Sequence, residues 1–211
     1  MKAVVVTGGT KPSKELLLKT IEKDDYIIGV DSGCNCLYEY NVEPNTILGD
    51  FDSVNKKVLK HFREKKIEEV ILGVDKDYSD TRFGYEKAKE LGFKKIIILG
   101  GTGSRMDHTI GNFGLFFDAL KCNIELEIVD DHNRIFFINK KTRLKGSFKD
   151  TLSFIPMSDE VTNVTIKGAK YLLNNYDMTL LEPRALSNEF LNEDIEISFN
   201  KGVMMVIYSK D

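Results

Sequence analysis

The sequence predicts an α/β domain built on a doubly wound, largely parallel sheet, followed by a small antiparallel β domain. Two observations carry this. Over residues 1–130 short apolar runs alternate with helical patterns, and from residue 131 to 211 the runs become short strands without long helical periods. A chain of 211 residues buries one good core, or a medium core plus a small one, so one boundary suffices. We therefore expect domains at 1–130 and 131–211.

In the first domain the segments 3–7, 26–30, 45–48, 69–72, 95–99 and 125–129 read as strands. Charged or polar stretches separate them, and several carry helical signals. Ser13 precedes Leu16, Leu17 and Ile21 at helical spacing, and 79–91 places Phe83, Ala88 and Leu91 on one face. Strand and helix in this alternation give a parallel sheet covered on both faces. In the second domain the strands are 134–138, 151–155, 161–167, 171–173, 195–199 and 203–208. Ile195, Ile197 and Phe199 alternate with Glu196 and Ser198, the period of a strand with one wet face. Asn200-Lys201-Gly202 between the last two runs reads as a hairpin connection.

Composition narrows the function. Hydrophobic residues at 42% and charged residues at 30% describe a chain that folds rather than a disordered one. The net charge is -3, carried by the first 130 residues, with the remainder neutral; no basic platform for nucleic acid is present in either part. No apolar run has the length to span a bilayer, and Met1-Lys2 leads directly into a strand pattern, so a cytoplasmic protein is expected. Cys34, Cys36 and Cys122 form an odd set without C-x-x-C spacing, which points to reduced thiols and away from structural zinc.

In an open parallel sheet, ligands bind beyond the carboxyl ends of the strands, where loops and helix N-termini converge. Those ends here carry Thr7-Gly8-Gly9-Thr10, Asp31-Ser32-Gly33-Cys34-Asn35, Gly49-Asp50-Phe51-Asp52-Ser53, Asp75 to Asp80, and Gly100 to His108. Any one cluster by itself fits a strand-end turn or a helix cap. Five in succession point to a site. Asp50 and Asp52, with Asp77 and Asp80 opposite, offer carboxylates to a magnesium ion, which prefers carboxylate and phosphate oxygens. The glycine-rich fifth loop, including Gly101, lets backbone N–H groups approach phosphate, and Arg105 adds a bidentate fork. It is not a Walker A loop, since no Gly-Lys-Ser/Thr follows.

Read in order, these stretches resemble the thiamine pyrophosphokinase family: D-S-G-C-N from Asp31, P-N-T-I-L-G-D-F-D-S from Pro44, D-K-D-Y-S-D from Asp75, G-G-T-G-S-R-M-D-H from Gly100 and L-S-N-E-F from Leu186. The resemblance spans both expected domains. It implies a nucleotide-binding α/β domain followed by a thiamine-binding β-sandwich, assembled as a homodimer with thiamine at the subunit junction. It also implies magnesium-dependent transfer of a diphosphate from ATP to the thiamine hydroxyl, releasing AMP. Asp50, Asp52 and Asp80 match the family's acidic metal and catalytic positions. Asp31, Gly33, Asn35, Arg105, Asp107 and His108 match its nucleotide-side motifs, and Ser187 and Asn188 its thiamine-side motif.

The chain departs from the family in having no Trp to cover the thiamine rings, and Tyr171, Tyr176 and Phe190 are the aromatic candidates in the second domain. Ser79 stands where Thr is common and keeps the hydroxyl. Three rival functions are weighed against this one. A pyrophosphokinase acting on another hydroxymethyl heterocycle, such as a pterin, is disfavoured by L-S-N-E-F. A haloacid-dehalogenase-type phosphatase carries its D-x-D after the first strand, whereas Asp50-Phe51-Asp52 follows the third. A non-catalytic nucleotide sensor has no need of so many carboxylates.

Overall fold

The computed structural model describes residues 1–72 and 78–210. They form two compact units, Met1–Asp131 and His132–Asp211. Among the described residues no helix is long and apolar enough to cross a membrane.

The first unit alternates β1 (Ala3–Val6), α1 (Lys14–Thr20), β2 (Tyr26–Val30), α2 (Gly33–Glu39), β3 (Thr46–Gly49), α3 (Lys56–Glu64), β4 (Glu68–Ile71), α4 (Asp80–Glu90), β5 (Lys95–Leu99), α5 (Met106–Lys121) and β6 (Glu125–Val129). All strand pairs are parallel, in the order β6-β5-β1-β2-β3-β4. Because β1 lies between β2 and β5, the order reverses there, and a crevice opens beyond the ends of β1 and β5.

The all-apolar sequence of β1 reflects burial on both sides. Val4 and Val6 share a core with Leu17 of α1, Cys34 and Leu37 of α2, and Val58 and Phe62 of α3. Helix α4 covers the opposite face, and it lies so close that a side chain at Gly84 would meet Val5 and Val30 at 2.8 Å. The sheet is therefore doubly wound, as expected. Tyr85 of α4 is fully buried, and its hydroxyl donates to Asp118 of α5 at 2.8 Å, which satisfies the polar end of an otherwise apolar contact. At the opposite ends of the strands, the Lys2 ammonium meets the almost fully buried Asp25 carboxylate at 2.6 Å.

Ser13 caps α1 through a bond from the Leu16 N–H, as the spacing predicts. α3 starts at an Asn55 cap and is strongly amphipathic, burying Val58 and Phe62 beneath a lysine-rich outer face.

The second unit is a β-sandwich. One sheet runs β12-β9-β14-β7 and the other β11-β10-β13-β8, every pair antiparallel. Its strands are β7 (Asn133–Ile138), β8 (Thr142–Leu144), β9 (Thr151–Pro156), β10 (Glu160–Lys167), β11 (Leu173–Thr179), β12 (Ala185–Glu189), β13 (Ile195–Ser198) and β14 (Met204–Ser209). Inward residues of both sheets, among them Leu152, Phe154, Val164, Ile166, Phe190, Ile195 and Ile197, form one core.

The structure corrects the expected hairpin at Asn200-Lys201-Gly202. β13 pairs with β10 and β8, whereas β14 pairs with β7 and β9, so the connection crosses from one sheet to the other. A turn composition does not report which sheet the next strand joins. The strand expected at 171–173 begins instead at Leu173 and runs to Thr179, with alternation masked by the exposed polar run Asn174-Asn175. β8 and β12 carry no readable period, being three residues long and bulged, respectively.

Candidate active site

A cavity of about 440 Å3 opens at the reversal point of the parallel sheet, lined by residues that follow β1, β2, β3 and β5 and by the first residues of α4. Its two walls differ in chemistry.

One wall joins the loop after β1 to the loop after β5. Gly9 N–H donates to the Gly100 carbonyl at 2.9 Å, and Thr10 N–H to the Thr102 carbonyl at 2.7 Å. Glycine is required at both edges of this seam: a Cβ on Gly9 would collide with the Thr102 and Gly100 carbonyls, and one on Gly100, which has φ +74°, with the Thr7 carbonyl. The Thr102 hydroxyl donates to Asp130 at 2.7 Å. Gly101, Arg105 and His108 line the same wall.

The other wall is acidic. Asp31 follows β2 with a left-handed φ of +42°, and its carboxylate accepts from the Phe51 N–H at 3.3 Å. Phe51 is left-handed as well, at φ +61°. Non-glycine residues in this conformation are uncommon, and here two of them are joined by a hydrogen bond. Gly49 sits beneath the Asp31 carboxylate, where any side chain would collide with it. This is a physical reason for glycine in Gly49-Asp50-Phe51-Asp52. Burial pushes the Asp31 carboxyl up to about 7, and Asp80, both hydrogen-bonded to it and negatively charged, pushes the same way, with Asp50 adding to it. Asp80 opens α4 directly after Ser79 and lines the cavity together with Asp31.

The structure thus gathers Asp31, Asp80, Gly101, Arg105 and His108 around one cavity. Asp50 is close enough for its charge to be felt at Asp31, and it accepts from the Asp52 N–H at 3.1 Å. Asp52 and Asn35 line a neighbouring cleft instead. There the Asn35 amide fastens the turn after β3, donating to the Ser53 carbonyl and accepting from the Asn55 N–H at 2.9 Å. Gly33 lets the start of α2 press on the Val6 carbonyl. Asp77, expected among the metal ligands, falls outside the described residues. Among the described residues no group of three or more His, Cys, Asp or Glu side chains stands ready to hold a metal.

Arg105 was expected to fork onto phosphate; its guanidinium instead grips Asp107, with contacts of 3.2 and 2.5 Å. That cation holds the Asp107 carboxyl down at about 2. Both side chains are exposed, so an incoming phosphate can compete for the fork.

In the second unit Ser187 is exposed on β12 with φ +51°, its N–H bonded to the Ser153 hydroxyl at 3.0 Å. Asn188 is 1% exposed. Its amide donates to the Tyr171 carbonyl at 2.8 Å and accepts from the Tyr171 N–H at 2.9 Å. The amide expected to face a substrate is therefore turned inward, where it holds the backbone beside the exposed Tyr171 ring. Phe190 is fully buried in the sandwich core, which removes it from the aromatic candidates.

Sequence reading missed Thr81 and Asn112. Thr7 and Thr81 face each other at 2.9 Å, and Asn112 of α5 reaches the cavity from beneath. Thr7 belonged to a flagged cluster, but Thr81 and Asn112 lie inside helices, where strand-end position gave no signal.

A parallel α/β domain with amide-rich and carboxylate-rich walls at its reversal point, followed by a β-sandwich, has the make-up of a phosphate-handling enzyme with a separate substrate domain. Residues 17–128 match the family model for the thiamin pyrophosphokinase catalytic domain, and residues 137–204 that for the thiamin pyrophosphokinase vitamin B1 binding domain. The chain belongs to the thiamine pyrophosphokinase family and is an enzyme of that kind. It is 32% identical to the thiamine pyrophosphokinase of Bacillus subtilis, over the whole of both chains. The crystal structure of the Bacillus subtilis enzyme superposes with a TM-score of 0.91 at 30% identity, covering 100% of each chain. A thiamin pyrophosphokinase family protein from Enterococcus faecalis gives a TM-score of 0.86 at 29% identity, again over 100% of each chain.

Proposed function

We propose that the protein transfers a diphosphate from ATP to the hydroxyl of thiamine, with magnesium, giving thiamine diphosphate and AMP. The observation that carries this reading is the pairing of an anion-accepting glycine wall with a carboxylate wall around one cavity in a chain of this family. The polyphosphate lies along the loops 7–10 and 100–105, where N–H groups, hydroxyls and the N-terminal end of α5 favour negative charge. Arg105 leaves Asp107 to take a phosphate oxygen, and His108 on the next turn supplies a second polar contact.

The acidic wall fits a cation on the chemistry of its donors. Burial, with the negative Asp80 hydrogen-bonded beside it, keeps a proton on Asp31, and a divalent ion in place of that proton relieves both burial and repulsion. Asp31, Asp50, Asp52, Asp77 and Asp80 are the residues proposed to hold it. Bound magnesium would neutralise charge on the transferring phosphates. Asp50, Asp52 and Asp80 fix the reacting groups in line; a loose transition state asks more of positioning than of a strong base. Asn35 and Gly33 support this wall from α2.

Thiamine is proposed to meet the second unit at Ser187, with Asn188 acting through its hold on Tyr171 and the Tyr171 ring offering an apolar face. A cytoplasmic homodimer completes the proposal. Purified protein incubated with ATP, magnesium and thiamine should form AMP and thiamine diphosphate in equal amounts, measured by chromatography. Formation of ADP or free phosphate, or AMP release independent of thiamine, would reject the reading.

A further inference from the structure

The glycine-rich loop after β5 presents three successive carbonyls, of Gly100, Gly101 and Thr102, and each is held by a different donor. Gly9 N–H holds the first and Thr10 N–H the third. The middle one has no backbone donor among the described residues; the side-chain Nδ2 of Asn112 donates to it at 2.8 Å. Asn112 lies one helical turn beyond His108 on α5, is 5% exposed and lines the cavity. A buried amide in mid-helix is a poor choice for stability, since Asn ranks low in helix propensity and must find a partner for each polar atom.

We propose that Asn112 is a positioning residue for the phosphate chain, locking the Gly101–Thr102 peptide in the orientation that keeps its carbonyl away from the phosphates. The reasoning rests on the phosphate-binding role proposed above for this loop. In a trans peptide the C=O and N–H point in opposite directions, so a flip of the plane exchanges one for the other. A flip of this plane rotates ψ of Gly101 and φ of Thr102; glycine at the first position lacks the restraint a side chain would give there, and the Asn112 bond supplies one. A flipped Gly101 carbonyl would set a partial negative charge against a polyphosphate, and the loop would lose a donor in the same motion. The seam to Gly9 and Thr10 restrains only the planes on either side. Asn112 completes the set.

The test uses the full chain and reads the nucleotide directly. The affinity for a non-hydrolysable ATP analogue with magnesium is measured by calorimetry, beside the KM values for ATP and thiamine. Asn112→Ala should weaken analogue binding and raise KM for ATP by roughly tenfold, the scale of one lost buried hydrogen bond with its unpaired partner. KM for thiamine should stay within about twofold, because the substrate hydroxyl does not meet this loop until phosphate is placed. Asn112→Asp keeps the shape and serves if the alanine variant misfolds. Its ionised carboxylate cannot donate to Gly101, but its protonated form can, so its deficit relative to wild type should shrink as pH falls from 8 to 6. Analogue affinity within twofold of wild type in Asn112→Ala, or a deficit in Asn112→Asp that ignores pH, overturns the role of Asn112. A wild-type protein that binds the analogue but forms no thiamine diphosphate rejects the proposed function while leaving the loop argument to the binding data.

Discussion

The two walls of the cavity are built on opposite principles. The glycine wall is finished: its loops are stitched by backbone hydrogen bonds, the carbonyls of Gly100, Gly101 and Thr102 each have a donor, and its backbone N–H groups are neutral. On the reading proposed here, the acidic wall is unfinished without a positive charge. It holds two left-handed non-glycine residues, a glycine that admits no Cβ, and a carboxyl raised by burial and by its neighbour Asp80. A neutral donor surface costs little when empty, whereas a carboxylate pair stores repulsion until a cation arrives. Stability and activity should therefore change in opposite directions on the acidic wall and together on the glycine wall.

The largest effect is expected from Asp80→Asn. The substitution removes a proposed cation ligand, so turnover should fall by roughly a hundredfold or more, the scale of losing one pre-organised electrostatic group. The magnesium-free protein should nevertheless melt at a higher temperature near pH 8, because Asp31 loses the negative neighbour that opposes its ionisation. Steady-state kinetics and a melting curve on the same preparation decide it. A fall in both quantities would mean that Asp80 is structural, and the contrast between the walls would collapse.

Gly9→Ala tests the opposite wall. The added methyl collides with the carbonyls of Gly100 and Thr102, so the two loops must part. We expect destabilisation of about 1–3 kcal/mol, seen as a lower melting temperature, together with a several-fold higher KM for ATP. Wild-type stability with normal KM would show that the seam is slack enough to absorb a methyl and is not a pre-formed surface.

This division also separates what the sequence made legible from what it hid. The glycine and aspartate clusters were visible because strand ends in a parallel sheet have a known place, and Asp31, Asp80, Gly101, Arg105 and His108 do converge. Second roles were hidden. Nothing in Asp31-Ser32-Gly33-Cys34-Asn35 says that the aspartate faces the cavity, the glycine a strand carbonyl and the asparagine a neighbouring turn. Asn188 reads as a polar site residue, yet its burial depends on Tyr171, seventeen positions away. In the β-sandwich, the crossing from β13 to β14 was hidden because strand pairing is decided by the partner's exposed edge, which no local pattern records.

The smallest effect is the most direct measure of the unfinished wall. The folded protein holds the Asp31 proton up to about pH 7, against an ordinary value of 3.8 in the unfolded chain. Between those values the folded state binds more protons than the unfolded one, so this group's contribution to stability is present in full below pH 4 and is lost as pH rises through 7. A divalent cation competes with that proton, and its apparent affinity should be about tenfold weaker at pH 6 than at pH 8. Thermal melts with and without magnesium should therefore show a stabilisation of a few degrees at pH 8 that mostly vanishes at pH 6 at the same magnesium concentration. In Asp31→Asn the pH dependence of the magnesium shift should flatten, because the competing proton is gone. A magnesium shift in the wild type that is equal at both pH values would place the cation away from Asp31, and the repulsion between Asp31 and Asp80 would then need another explanation.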